Sequence, residues 1–241
     1  MHPKIKICGI TTGADAELAA RCGADYIGLV CEIPYSPRSI TRRAAAELAG
    51  RARLPAVLLV DAPVERAIEI ALQVRPFGLQ LIGNHPAAEL SLAKRETGCG
   101  IWLPVRLPAA GSARGDARTG LAQYLDVIQR SGCDTVILDT LVRGMKGGTG
   151  RSCDWTLAEG IAAASPAPVY LAGGITAHNA ARACRQVRPA GIDVSSGVEQ
   201  GPGVKDPAKI ERLVREIRSL RLQPRHDRQP NQGAKSDFTT H

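Results

Sequence analysis

An eightfold alternation of two kinds of segment limits this chain more than any other feature. Short apolar, β-branched runs lie near residues 4–8, 25–31, 56–60, 77–82, 101–107, 134–138, 168–172 and 191–195. Alanine-rich amphipathic segments follow them at 14–22, 41–52, 63–74, 86–97, 117–131, 154–164, 176–187 and 206–221. Regular strand–helix repetition implies parallel strands joined by right-handed crossovers. Eight units of this length close into a (β/α)8 barrel, the TIM-barrel class of α/β fold, more naturally than into an open doubly wound sheet. The fifth run is the weakest strand, because Pro104 and Pro108 cannot donate to a ladder. After Arg221 the rhythm stops: Gln223 to Gly233 is polar, carries two prolines and has almost nothing large and apolar to bury. The expectation is one barrel domain over residues 1–221 and a flexible, disordered basic tail over 222–241.

With 241 residues, 44% hydrophobic, the chain fills one such barrel and needs no second domain. Aromatic residues are only 3%, which points to an interior of branched aliphatics. The formal charge of +8 is scattered over helices and gathers near the C-terminus, without an aromatic-interleaved basic stripe. It suits a small anionic substrate, not nucleic acid. Seven cysteines form neither close pairs nor metal-like spacings, so no disulfide framework and no metal site are expected. Met1-His2-Pro3-Lys4 leads straight into a strand, and no apolar run is long enough to span a membrane. A reduced, cytoplasmic protein with no membrane partner, a monomer or a homodimer, is the expectation.

In a barrel the loops after the last two strands often hold a phosphate. Here those runs end in Gly173-Gly174 and in Ser195-Ser196-Gly197, turns that offer backbone N–H groups and hydroxyls to an anion. Other polar residues at strand ends are candidates for chemistry. Cys8 closes the first strand, where a free thiol is either an inert buried group or a reactive one. Arg38, in the proline-stiffened loop Pro34–Ser39, can fork onto a carboxylate or simply face solvent. Asp139 ends the sixth, apolar strand, where a carboxyl must be functional, hydrogen-bonded or protonated. Gly147-Gly148-Thr149-Gly150 follows it, then Asp154-Trp155.

As an ordered set these pieces resemble the phosphoribosylanthranilate isomerase family of tryptophan biosynthesis. The resemblance rests on Lys6-Ile7-Cys8-Gly9-Ile10-Thr11, Gly23-Ala24-Asp25-Tyr26-Ile27-Gly28, Ser36-Pro37-Arg38 and Leu138-Asp139. It continues through the glycine-rich loop, Leu171 to Ile175, Gly191 to Glu199 and Pro202-Gly203 with Lys205-Asp206, and spans residues 4–218. What it implies is an Amadori rearrangement without cofactor, converting N-(5-phosphoribosyl)anthranilate to 1-(2-carboxyphenylamino)-1-deoxyribulose 5-phosphate. Asp139 would be the general acid and Cys8 the general base, so burial should raise the Asp139 pKa and a positive field should lower that of Cys8. Arg38 would hold the anthranilate carboxylate, and Asp193 would sit by the amine or sugar hydroxyls. Gly173, Gly174, Ser195, Ser196 and Gly197 would hold the phosphate, with Gly148 and Thr149 in a loop over the substrate.

The pattern departs from the family in two strands. Where the family commonly has Gln-Leu-His-Gly, this chain has Gln80-Leu81-Ile82-Gly83, and His85 either stands in part for the missing histidine or caps the next helix before Pro86. In the fifth strand Leu103 and Pro104 stand where a polar residue is usual, keeping Arg106. These departures, with Trp102, fall on the side expected for the aromatic part of the substrate. They leave two alternatives: a paralogue acting on a phosphosugar amine with a different aglycone, and a non-catalytic phosphate-ligand binder.

Overall fold

The computed structural model describes residues 2–109, 117–141 and 153–222. Eight parallel strands close on themselves: β1 (Lys4–Cys8), β2 (Tyr26–Cys31), β4 (Ala56–Val60), β5 (Gly78–Leu81), β6 (Gly100–Pro108), β7 (Thr135–Leu141), β8 (Val169–Leu171) and β9 (Gly191–Val194). β1 pairs with β2 on one side (Lys6 opposite Tyr26) and with β9 on the other (Lys6 opposite Asp193), which shuts the barrel. Helices α1 (Gly13–Cys22), α2 (Arg42–Arg51), α3 (Val64–Val74), α4 (Ala87–Thr97), α5 (Ala117–Ser131), α6 (Trp155–Ala164), α7 (Ala180–Val187) and α8 (Pro207–Arg218) follow the strands in turn. Three short strands add to this frame: β3 (Ser39–Ile40) beside the end of β2, and the hairpin β10 (Glu199–Gly201) with β11 (Val204–Lys205). No helix among the described residues is long and apolar enough to cross a membrane.

All but one of the helices start within a residue of where the sequence pattern begins. Thr12, Thr41, Asp154 and Asp206 cap α1, α2, α6 and α8 by accepting backbone N–H bonds, each worth about 1 kcal/mol. α7 begins later than its pattern suggests. Asn179 accepts from Thr176 N and donates to Gly174 O, holding residues 176–179 in a turn before the helix.

One device for aligning neighbouring strands occurs twice. A left-handed glycine ends α1 (Gly23) and another follows α5 (Gly132), and two residues later comes an aspartate. Asp25 N donates to Ile5 O (2.8 Å) while its Oδ2 accepts from Ile5 N (2.8 Å). Asp134 treats Ile101 in the same way, at 2.9 and 2.8 Å.

The proline-bearing strand, weakest by sequence, proves the longest, and the reason is directional. Gly100 N donates to Phe77 O on the β5 side, whereas Ile101 O accepts from Asp134 N on the β7 side. Even-numbered residues of β6 therefore turn their amide toward β5. Pairing with β5 ends at Leu79 opposite Ile101, while pairing with β7 runs from Trp102–Thr135 to Pro108–Leu141. The missing N–H groups of Pro104 and Pro108 fall where no ladder remains to be broken.

The interior is less aliphatic than the composition implies. Tyr26, Trp102 and Tyr170 meet inside the N-terminal end of the barrel, with ring centroids 5.0 to 6.2 Å apart. Glycines make the room: a Cβ on Gly78 would lie 2.5 Å from Trp102 Nε1, and one on Gly191 would lie 2.3 Å from Tyr170 Cε1. Above this aromatic floor come Cys8, Val30, Val57, Leu59 and Ile137, while the larger aliphatic core lies between strands and helices. At the other terminus Leu222 still packs on that core, and residues 223–241 of the expected tail lie outside the described residues.

Candidate active site

A cavity of about 660 Å³ opens at the C-terminal ends of the strands. Cys8, Arg38, Asp139, Gly173, Gly174, Asp193, Ser195, Ser196 and Gly197, nine residues singled out in the sequence, all line it. Gly148 and Thr149 lie outside the described residues.

Asp139 comes from an inward position of β7, two residues before the strand ends. Burial pushes its pKa above the ordinary carboxylate value, and the nearby Asp193 charge adds to this. The Thr140 N–H, 2.7 Å from Oδ1, with Arg106 and Lys6, acts in the opposite direction. Burial also raises the Cys8 thiol, contrary to the depressed value expected for it. Lys6 gives the largest opposing influence, followed after the unfavourable Asp193 by Lys205 and Arg38. The positive field expected at Cys8 is present, but desolvation outweighs it.

Cys8 is followed by Gly9 at φ +75, and the stem of Arg38 lies across it: a Cβ there would sit 2.5 Å from Arg38 Cδ. Arg38 forks onto Glu199, Nε to Oε1 at 2.8 Å and Nη2 to Oε2 at 2.6 Å. Lys205, fully buried, donates to the same Oε1 (2.7 Å) and to Cys8 O (2.6 Å). Although burial favours protonating Glu199, these two cations hold its pKa below the ordinary range. The β10–β11 hairpin thus ties the arginine loop to the end of β1.

The opposite wall is backbone-rich. Gly173 and Gly174 take φ of +74 and +66, and a Cβ on Gly173 would lie 2.1 Å from Thr140 Oγ1 and 2.9 Å from Asp139 Oδ1. Only glycine fits between this turn and β7. Ser195, Ser196 and Gly197 approach from β9 and enter the short 3-10 turn Ser196–Val198.

Sequence reasoning missed Lys6 and Gln80. Lys6 Nζ is 2.8 Å from Asp193 Oδ2 and 3.4 Å from Gln80 Oε1, with all three side chains buried. The available signal was spacing, since Lys6 stands two residues before Cys8 and shares its face of the strand. Two expected positions need correction. Trp102 belongs to the aromatic floor at the far end, and Leu103 turns outward against the helices, because side chains alternate along β6. Ile82, Pro104, Arg106 and Tyr35 line the cavity on that side instead. His85 stays out of it, with Nδ1 2.8 Å from Glu89 Oε2 and Nε2 3.3 Å from Ile82 O, and it lies one residue before the N-cap of α4, which is Pro86 and not His85.

Residues 5–216 match the family model described as N-(5'phosphoribosyl)anthranilate (PRA) isomerase. The N-(5'-phosphoribosyl)anthranilate isomerase of Afipia carboxidovorans is 40% identical over 225 residues, covering 92% of each chain. The solved structure of the Pyrococcus furiosus enzyme of that name superimposes with a TM-score of 0.79 at 27% identity, over 91% of this chain and all of that one. Another, a phosphoribosyl anthranilate isomerase in complex with reduced 1-(o-carboxyphenylamino)-1-deoxyribulose 5-phosphate, gives 0.72 at 26% identity over 90% of this chain and all of that one. The chain is a member of the phosphoribosylanthranilate isomerase family.

Proposed function

We propose that the cavity carries out the cofactor-independent Amadori rearrangement of N-(5-phosphoribosyl)anthranilate in tryptophan biosynthesis, with Asp139 as general acid and Cys8 as general base. The carrying observation is that a carboxyl held toward its protonated form and a thiol beside a buried ammonium enter one cavity from β7 and β1. Protonated Asp139 gives its proton to the ring oxygen as the C1–O bond breaks, leaving a C1 iminium. The thiolate of Cys8 removes the C2 proton, and the C2–H electron pair forms the C1=C2 bond while the iminium π pair returns to nitrogen. The resulting enolamine ketonises, and solvent returns the proton to Asp139 and takes the one on Cys8, so no redox partner is needed. The iminium, one positive charge beside Cys8, adds to the field of Lys6, Lys205 and Arg38 that opposes the desolvation of the thiolate.

Arg38 is the partner for the anthranilate carboxylate. Asp193 presents a buried Oδ1 with no hydrogen-bond partner among the described residues, suited to accept from the substrate amine. The phosphate rests on Gly173, Gly174, Ser195, Ser196 and Gly197. It does not react, so its binding energy serves to hold C1 and C2 between acid and base. Expression of the chain in a strain lacking this isomerase should restore growth without tryptophan, and Asp139→Asn should not. Failure of the wild type to rescue, at normal soluble expression, would overturn the assignment.

A further inference from the structure

A fully buried lysine is costly, because an ammonium taken from water loses solvation that its new surroundings return only in part. Lys6 has 0% exposure and sits inside the barrel between the aromatic floor and the reacting layer. Its Nζ is met by Asp193 from β9 (2.8 Å), Gln80 from β5 (3.4 Å) and the ring of Trp102 from β6, 5.8 Å from the centroid. An apolar pair of similar volume would serve stability as well or better. The placement of this charge therefore asks for another explanation.

We propose that Lys6 is a positioning residue of the rearrangement, an ammonium fixed beneath the cavity that pins one oxygen of Asp193 and supports the thiolate of Cys8. Two geometric facts carry this. The salt bridge takes Asp193 Oδ2 and leaves Oδ1, buried and unpartnered among the described residues, as the acceptor for a substrate N–H. On β1, Lys6 and Cys8 are two residues apart and turn to the same interior, so the charge stands one layer below the sulfur. The charged groups that face Cys8 are Lys6 on β1, Asp193 on β9, Lys205 on β11 and Arg38 from the loop before β3. Of the three cations Lys6 acts most strongly on the thiol, and Lys205 and Arg38 are already shared with Glu199.

The inference rests on Cys8 being the base of the proposed reaction, so its test reads the thiol without substrate. The rate of Cys8 alkylation by iodoacetamide, followed by peptide mapping across pH, is compared for wild type, Lys6→Met, Lys6→Gln and Lys6→Arg. Lys6→Gln keeps a polar side chain within reach of Asp193 and covers the case in which Lys6→Met does not fold. Removing the charge should raise the alkylation midpoint so that the thiolate fraction at fixed pH falls about tenfold, one pH unit of midpoint. Lys6→Arg, which stays charged, should return most of that loss. The kcat of the neutral variants should fall by about 10²-fold, and the acid limb of the kcat/KM profile should move with the alkylation midpoint. A folded neutral variant whose Cys8 titrates with wild type would overturn the proposal, as would Lys6→Arg behaving like Lys6→Gln. Wild-type protein inactive on phosphoribosylanthranilate would instead sink the functional reading, and the thiol titration would still decide the role of Lys6.

Discussion

Both carboxylate oxygens of Glu199 are taken by Arg38, at 2.8 Å from Nε and 2.6 Å from Nη2, so the guanidinium is fixed before any ligand arrives. A plane held in this way offers its remaining edge to a second carboxylate at little cost in side-chain entropy. Arg38→Lys loses the fork and its anchor together. The expected result is KM for the phosphoribosylated substrate raised by about 10–100-fold, the equivalent of one or two charge-assisted hydrogen bonds, with kcat changed far less. Steady-state kinetics checks this, and a collapse of kcat at unchanged KM would place Arg38 in the chemistry instead.

Gly173 combines a φ of +74 with a Cβ position 2.1 Å from Thr140 Oγ1 and 2.8 Å from Thr140 N. Gly173→Ala should therefore push the β8 turn away from β7, costing about 2–4 kcal/mol of stability and at least about tenfold in kcat/KM. Gly50→Ala is the matched control. It lies in α2 with nothing within 4 Å of its Cβ position, and should stabilise by about 0.5–1 kcal/mol. Denaturant midpoints of the two variants test the contrast.

Asp139 also gives the protein a pH signature. Burial raises its folded-state pKa above the unfolded value, so its contribution to stability is fully present below the unfolded pKa and is lost as pH rises through the folded one. Asp139→Asn removes that loss. The variant should gain stability relative to wild type as pH rises above the acid range and show no gain below about pH 4, the ordinary range of a carboxyl group. Urea titrations at several pH values would show the two midpoint curves diverging upward; parallel curves would mean the carboxyl is not perturbed.

At the other end of the barrel Asp25 works in the opposite sense. Its oxygens take Lys4 Nζ (2.8 Å), Ile5 N (2.8 Å) and Arg218 Nη2 (2.7 Å), binding β1 and α8 to the start of β2. Against the upward push of burial, these partners hold its pKa below the ordinary carboxylate value. The stability it supplies is present above the unfolded pKa and lost as pH falls through the folded one. Asp25→Ala should cost about 2–3 kcal/mol at pH 7, and the gap should close as acid removes the charge. Chemical denaturation at pH 7 and in acid measures both.

The strands and helices were legible because barrel strands are largely buried on both faces and read as mainly apolar runs, unbroken in Ala56–Val60. The candidate site was legible where residues close or follow a strand, as with Cys8 and Ser195, and also at Asp139, although β7 runs on past it to Leu141. What stayed hidden depends on partners distant in sequence. Lys6 looks like any strand lysine until Asp193, 187 residues away, is seen opposite it. The β10–β11 hairpin is too short to show a period, although Glu199 and Lys205 are both in the motif it carries. Composition misled about the interior, since a small share of aromatic residues says nothing of where they gather. Pro104 misled in a similar way, because which neighbour a strand amide faces is set by the sheet.

The most direct measurement is the loss of anthranilate-type fluorescence when purified protein meets freshly generated N-(5-phosphoribosyl)anthranilate, with Asp139→Asn and Cys8→Ser alongside. Acid–base catalysis by this pair predicts rapid loss with wild type and turnover lower by about 10²–10⁴-fold in each variant. Inorganic phosphate should compete similarly in all three. No loss with folded wild-type protein, or wild-type turnover in either variant, would contradict it.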